Sequence, residues 1–373
     1  MDLFSQFSID PEHDTSLSFQ IKQQITWWII NGTLKPGDKL PSIHQLSRKL
    51  GINLHTVRSA YHKLESEGLV ETVRSRGTHV LAYHPLRIAL VAGNIRSHTV
   101  GVILPSFTNP FYHALLRGIE EIAEEDQTMI FICNTHDDPN LTWRHYARLV
   151  AKQVDGIVVV SDDLSAYFSQ ENKQTIPPIV TIDWPGADGY CVQFDLESVG
   201  RQATKHLVEH GHHRIGLITF AQDSVNVLPV VNGYLNVLKE AGITFQPEWI
   251  ARVPNFDMAS GALGAQKLLA LANPPTAIFT IADTLALGAL DFIKQAGLNI
   301  PEDIALVSFN DIPAAALVDP PLTTVVAPAA EAGKAAMRLL HDLIEGNNPS
   351  QRQYHFLTHL VVRQSCGRHE SSS

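Results

Sequence analysis

The stretch from Pro36 to Val80, PGDKLPSIHQLSRKLGINLHTVRSAYHKLESEGLVETVRSRGTHV, leaves this chain few ways to begin folding. Ser42 precedes Ile43, Leu46 and Leu50, a spacing that predicts a short capped helix with those three residues inward. Gly51 ends it in a tight turn. A further helix then starts at Asn53, in which Val57, Tyr61 and Leu64 at i, i+4 and i+7 face a core. Gly68 closes that helix. LVETV–RSRG–THVLAY follows as a two-stranded basic hairpin turning at Gly77. Upstream, SFQIKQQITWWIINGTL sets Ile21, Ile25, Trp28 and Ile29 on one helical face. Asn31-Gly32 stops it, and Lys35-Pro36-Gly37-Asp38 makes a turn. Three helices and a hairpin in this order suit a winged helix-turn-helix, which points the N-terminal end of its third helix into the major groove of DNA.

Charge supports that reading. The chain has 373 residues and a formal net charge of −10, but residues 15–97 hold 11 Lys and Arg against 4 Asp and Glu, a net of +7. Residues 98–373 hold 17 against 30, a net of −13. A basic module joined to an acidic body implies that only the first part meets a polyanion. The length exceeds what one core usually supports, so two or more domains are expected. No apolar run reaches the roughly 18 residues of a membrane span. The opening MDLFSQFSIDPEHD lacks the basic-then-apolar order of a signal peptide. Cys133, Cys191 and Cys366 are scattered, as expected of reduced thiols in a cytoplasmic protein.

LKPGDKLPS, TVRSAYHKLESEGLV and RGTHV resemble the GntR-type winged helix over nearly all of residues 17–80. The resemblance implies a DNA-binding domain over 15–83 that contacts double-stranded operator DNA. The contacts it implies are Ser42, His44, Asn53, Leu54, His55, Thr56, Arg58, Arg74, Arg76, Gly77 and Thr78. Two positions depart from the family: His44 stands where it usually has Arg after the PS pair, and Leu54 where it has Arg beside the recognition-helix Thr. A bidentate Arg on guanine contributes about 1–3 kcal/mol of discrimination. An altered operator is therefore expected, with Arg58 retained on phosphate or guanine and the Gly77 turn letting the wing backbone approach the minor groove.

Residues 84–98, HPLRIALVAGNIRSH, have no clear period and are expected to be a linker. From Thr99 the pattern changes. TVGVILP, MIFICNT, DGIVVVS, PIVTID, RIGLITF, TAIFTI and IALVSF predict buried strands. FYHALLRGIEEIAEE, ESVGRQATKHLVEH, VNGYLNVLKEAG, MASGALGAQKLLALA and DTLALGALDFIKQAG predict helices between them, hence parallel sheets with helices on both faces. TVGVILPSFTNPFYHALLRGIEEIAEE, HLVEHGHHRIGLITF, PPTAIFTIADTLALGALDFIKQAGLNIPEDIALVSFND and DPPLTTVVAP closely resemble the LacI/GalR effector domain over residues 99–364. A GntR-type head on such a body is the architecture of the AraR arabinose-repressor group. The resemblance implies an α/β chain with an N-terminal winged helix-turn-helix domain plus a two-subdomain periplasmic-binding-protein-like type 1 (Rossmann-like) domain, joined by three crossovers. Residues 99–193 with about 326–348 are expected in one subdomain, and 194–325 plus FLTHLVVR in the other.

In open parallel sheets ligands collect beyond the carboxyl ends of the strands. Phe107–Tyr112, Asp183-Trp184, Phe220 onward, Ile281–Asp283 and Asn310-Asp311 follow those ends. There, carboxylates and amides can bond hydroxyls, and aromatic faces can stack on a sugar ring. The resemblance implies effector positions at Phe107, Phe111, Tyr112, Asp183, Trp184, Phe220, Val230, Ala282 and Asn310. At three of them a polar anchor is gone: Val230 replaces an Arg, Ala282 an Asn and Asn310 an Asp. Asn226, Gln222 or Trp184 are the candidates to compensate.

An enzyme reading finds no HExxH, GxSxG or GxxxxGK, and Gly211-His212-His213-Arg214 at a helix-to-strand turn is expected to be structural. Neither metal nor cofactor is expected. The chain is thus expected to be a cytoplasmic homodimeric repressor gated by a small, sugar-like effector. The alternative is a constitutive DNA-binding dimer whose body serves dimerisation alone.

Overall fold

The computed structural model describes residues 7, 9, 16–30, 33–82, 97–162, 164, 177–184, 189–221 and 224–367. The expected linker lies outside these residues except for 97–98, as do Asn31, Gly32, Tyr83 and Gln222. Two compact units are present: 1–103 with 128–157 and 164–178, and 104–127 with 158–163 and 179–373.

The first unit opens with α1 (Leu17–Ile30), α2 (Ile43–Leu50), α3 (Leu54–Ser66) and the hairpin β1 (Val70–Val73) and β2 (Gly77–Val80). Ile21, Ile25, Trp28 and Ile29 of α1 are buried as their spacing predicts, against Leu46 of α2 and Val57, Tyr61 and Leu64 of α3. Ser42 caps α2 through a reciprocal pair, its hydroxyl accepting from Gln45 N and its own N–H donating to Gln45 Oε1. Gly51 ends α2 with φ +66, and Asn53 caps α3 by accepting from His55 N at 2.8 Å. Lys22 and Glu67 form a largely buried ion pair of 2.7 Å that ties α1 to the end of α3. The same unit holds most of β3 (Thr99–Leu104), together with β4 (Met129–Asn134), α5 (Pro139–Ala151) and the start of β5 (Gly156–Val160). Ala151 packs against the core of the three-helix head, and the Lys152 ammonium lies 5.0 Å from the Trp27 ring centroid.

The second unit carries α4 (Pro110–Glu125), β6 (Ile179–Ile182), β7 (Tyr190–Phe194), α6 (Leu196–Glu209), β8 (Ile215–Phe220), α7 (Leu228–Glu240), β9 (Ile250–Val253), α8 (Met258–Leu269) and β10 (Ala277–Thr280). It continues with α9 (Asp283–Gln295), β11 (Ala305–Asn310), β12 (Thr323–Val326), α10 (Ala329–Ile344), β13 (Gln353–Phe356) and β14 (His359–Val361). Two six-stranded sheets result, ordered β13-β7-β6-β5-β3-β4 and β14-β12-β11-β10-β8-β9. Within the second sheet only β14 runs antiparallel to its neighbour.

The seven strands and five helices expected of the body all form, with boundaries shifted by a few residues. The sequence reading passed over α5, α10, β7, β9, β12 and β13. Four of these are short strands with no long apolar run. FLTHLVVR, expected as one strand, is divided: Phe356 ends β13 beside β7, and His359–Val361 forms β14 beside β12.

Candidate functional sites: a DNA-facing head and an effector pocket

On the head, α3 buries Val57, Ala60, Tyr61 and Leu64 and so turns its other face outward, leaving His55 and Arg58 exposed with Leu54 and Thr56 partly so. The buried Tyr61 hydroxyl donates to Pro41 O at 2.8 Å, which fixes α3 against the entry to α2. Arg74 and Arg76 are exposed at the hairpin turn, and His44 is exposed on α2. The structure thus brings His44, Leu54, His55, Thr56, Arg58, Arg74 and Arg76 to the surface.

Four expected contacts are differently employed. Thr78 is a correction: it is buried, with its hydroxyl 3.1 Å from that of Thr72, so it holds the hairpin together. Side-chain alternation turns it inward while its neighbours face out. The Ser42 hydroxyl and Asn53 Oδ1, although exposed, are engaged as helix caps. Gly77 has φ +98, and the space beside its Cα is taken by Lys39.

In the body, one cavity of about 210 Å³ is lined by Pro110, Phe111 and Ala114 of α4, by Asn310–Pro313 from the end of β11 onward, and by Val326–Glu331 from the end of β12 into the first turn of α10. Phe111 packs edge-on against Tyr112 and Phe194, at centroid distances of 5.4 and 5.9 Å. The backbone at the pocket rim is unusual: Asn310 has φ +116 and Asp311 φ +59, conformations that cost a non-glycine residue about 1–3 kcal/mol each. Two contacts hold them. Arg363 pairs with Asp311 at 2.7 Å, and Ile312 N donates to Asp283 Oδ2 at 2.8 Å. Asp283 is fully buried, and its other oxygen accepts the Thr324 hydroxyl at 2.8 Å. Desolvation pushes its carboxyl up to about 6, against the opposing hydrogen bonds from Ser308, Ile312 and Thr324.

Asp183 also has positive φ, +58, with its N–H donating to Val192 O at 2.7 Å. Burial of its carboxyl raises the pKa to about 7, only partly offset by the Phe194 backbone hydrogen bond. Trp184 is partly exposed, and its carbonyl accepts from the Thr181 hydroxyl. Phe107 is exposed, and Phe220 stacks on Phe256 at 4.9 Å. Val230 and Ala282 differ from expectation in being buried, each 2 % exposed. The Val230 carbonyl lies against Gly200 in the contact between α6 and α7, which makes this residue part of helix packing. Ala282 is the N-cap of α9 and, with no polar side chain, leaves that end without a side-chain cap.

Beyond the cap expected at Ser42, the helix ends carry a pattern that the sequence motifs did not announce. Ser42, Asn53, Asn109, Asp138, Asp195 and Asp257 cap α2, α3, α4, α5, α6 and α8. The helices that follow β8, β10 and β12, namely α7, α9 and α10, have no side-chain cap. Their starts lie beyond the carboxyl ends of strands, and α10 opens directly onto the cavity. Uncapped N–H groups there favour hydrogen-bond acceptors on a ligand.

Comparison with known proteins agrees with this division of labour. Residues 17–80 match the family described as bacterial regulatory proteins of the gntR family, and residues 204–366 match the periplasmic binding protein-like domain. The chain is 32% identical over 289 residues to the HTH-type transcriptional repressor PurR of Aliivibrio salmonicida, covering 76% of this chain and 86% of that one. It is 32% identical over 299 residues to the ribose operon repressor of Haemophilus influenzae, covering 78% and 86%. A crystal structure of a LacI family transcriptional regulator from Enterococcus faecium, with bound ribose, superposes with a TM-score of 0.66 at 27% identity, covering 72% of this chain and 98% of that one. The chain belongs to the LacI-type family of DNA-binding transcriptional regulators, with a GntR-type winged helix as its DNA-binding head.

Proposed function

We propose that this chain is a cytoplasmic, homodimeric repressor, and not an enzyme, whose hold on operator DNA is set by a sugar or sugar derivative bound in the body. Arg58, His55 and Leu54 at the start of α3 read base edges or clamp phosphates, and Arg74 and Arg76 on the wing turn bind the adjacent backbone. Residues 15–83 act as the head, 84–98 as the linker and 99–364 as the body. The observation that carries the effector reading is the convergence of Phe111, Asn310 and Asp311 on one cavity, with strained backbone held by Asp283 and Arg363. Strain of this kind persists where surrounding contacts over-determine it, as at ligand sites. The ribose bound by the Enterococcus faecium relative supports a sugar-like ligand. Phe111 supplies an apolar face and Asn310 an amide able both to donate and to accept.

Ligand controls the head only if it prefers one arrangement of the body, and by reciprocity DNA then changes ligand affinity by the same factor. The test is a thermal-shift panel of ribose, arabinose, hexoses, glycosides and nucleosides. A bound ligand at a hundredfold excess over its Kd stabilises by about 2.7 kcal/mol, and this shift disappears in Asn310→Ala, which removes the amide lining the cavity. Absence of any shift across the panel, with duplex binding intact, overturns ligand gating and leaves a constitutive DNA-binding dimer.

A further inference from the structure

Lys39 has no part in the recognition scheme above, yet the fold places it with the wing. The segment Gly37–Leu40 runs beside β2: Gly37 N donates to Val80 O at 2.8 Å, Val80 N to Asp38 O at 2.9 Å, and Leu40 N to Thr78 O at 2.9 Å. Lys39 itself bridges to His79. The wing therefore has a third backbone run, and Lys39 is fixed to it by main-chain bonds on either side. Its side chain crosses the start of β2. A Cβ built at Gly77 would lie 2.8 Å from Lys39 Cε and 3.5 Å from Nζ. The glycine itself is required by its φ of +98, and the absence of a side chain there leaves room for the lysine end. The ammonium is thus set next to the turn that carries Arg74 and Arg76, on an exposed residue.

Resting on the reading of the head as a DNA-binding wing, we propose that Lys39 is a DNA-contacting residue, a phosphate-binding cation held beside the wing by the main-chain bonds of its own segment. Lysine binds phosphate as a point charge, so its contribution is affinity and salt dependence with no base preference.

The experiment uses the full chain and a fluorescently labelled mixed-sequence duplex, with anisotropy titrations at several salt concentrations. Each phosphate neutralised steepens the fall of log K with log salt by about 0.9. Lys39→Ala lowers that slope by about 0.9 per head, about 1.8 for a dimer with both heads engaged, and Lys39→Arg restores it. Lys205→Ala, on the exposed face of α6, leaves the slope at the wild-type value. Far-UV circular dichroism confirms that each variant is folded, and Lys39→Gln serves as a second neutral replacement. An unchanged slope in Lys39→Ala and Lys39→Gln, alongside a reduced slope in Arg76→Ala, overturns the assignment of Lys39. No binding of duplex by the wild-type chain overturns the DNA-binding head itself.

Discussion

A single buried hydroxyl ties the third helix of the head to the entry of the second. Tyr61 is buried, and its O–H donates to the Pro41 carbonyl, 20 residues earlier. Tyr61→Phe leaves that carbonyl unpaired and costs about 1–2 kcal/mol, read as a lowered urea midpoint with unchanged m. Arg58→Ala and Arg76→Ala act differently, since both residues are exposed: they leave the midpoint in place and weaken duplex binding in a gel-shift titration, and unchanged affinity in both sinks the docking model. Asp283 offers a pH signature. Its folded pKa is raised from 3.8 to about 6, so between these values the folded chain holds a proton that the unfolded chain has released. Stability contributed by this group therefore falls as pH rises from about 4 to about 6, by about 3 kcal/mol for a shift of roughly two units. Asp283→Asn removes that slope, so the Tm difference between wild type and variant changes sign or narrows across this window; parallel Tm curves refute the assignment.

Helix pairs make the body, and each is closed by glycines on both partners. Cβ atoms at Gly118 of α4 and Gly333 of α10 would lie 2.0 and 2.2 Å from backbone carbonyl oxygens of the facing helix. Gly200 of α6 and Gly233 of α7 repeat the arrangement at 2.0 and 2.2 Å, and Gly261 of α8 and Gly288 of α9 at 2.0 and 1.8 Å. A methyl group at any of them must push two helices apart, because backbone cannot turn aside as a side chain can. Gly261→Ala is expected to cost about 3 kcal/mol, at the upper end of overpacking. Gly189→Ala, with nothing within 4 Å, is expected to change stability little; denaturant titration of the two variants compares them directly. These glycines show what was legible in the sequence and what was not. Apolar period placed α1, α3 and the long strands correctly, because burial alone dictates that pattern. It passed over β7, β9, β12 and β13, whose four or five residues carry too few apolar positions to show a period, and it could not see that Gly200 faces Gly233. The site was legible in the same uneven way. Asp183 and Asn310 were found as strand-end residues, whereas Asp283 as the holder of the 310–312 loop and Lys39 on Gly77 depend on register and chain crossing that no linear motif records.

On the scale of the whole molecule, the head has a core of its own. Its buried set runs from Phe7 through Ile21, Leu46 and Leu64 to Val80, with Ala151 only partly buried against it. A fragment ending at residue 82 is accordingly expected to melt cooperatively by circular dichroism and to keep the salt slope per head of the full chain; a fragment that is unfolded at 25 °C refutes an independent head. The body has the opposite character. β13 and β14, within residues 353–361, supply an edge strand to each of the two sheets, and Ser365 beyond them receives the Leu306 N–H at 2.6 Å. Order of synthesis gives this arrangement a cost. The head, complete by residue 82, leaves the ribosome before β13 and β14 and can fold while they are still to be made, because domains fold as units from the N-terminus. Both sheets wait for residues 353–361. Translation halted between the two would therefore yield a chain able to hold DNA with neither sheet complete, a bound head that answers to no ligand.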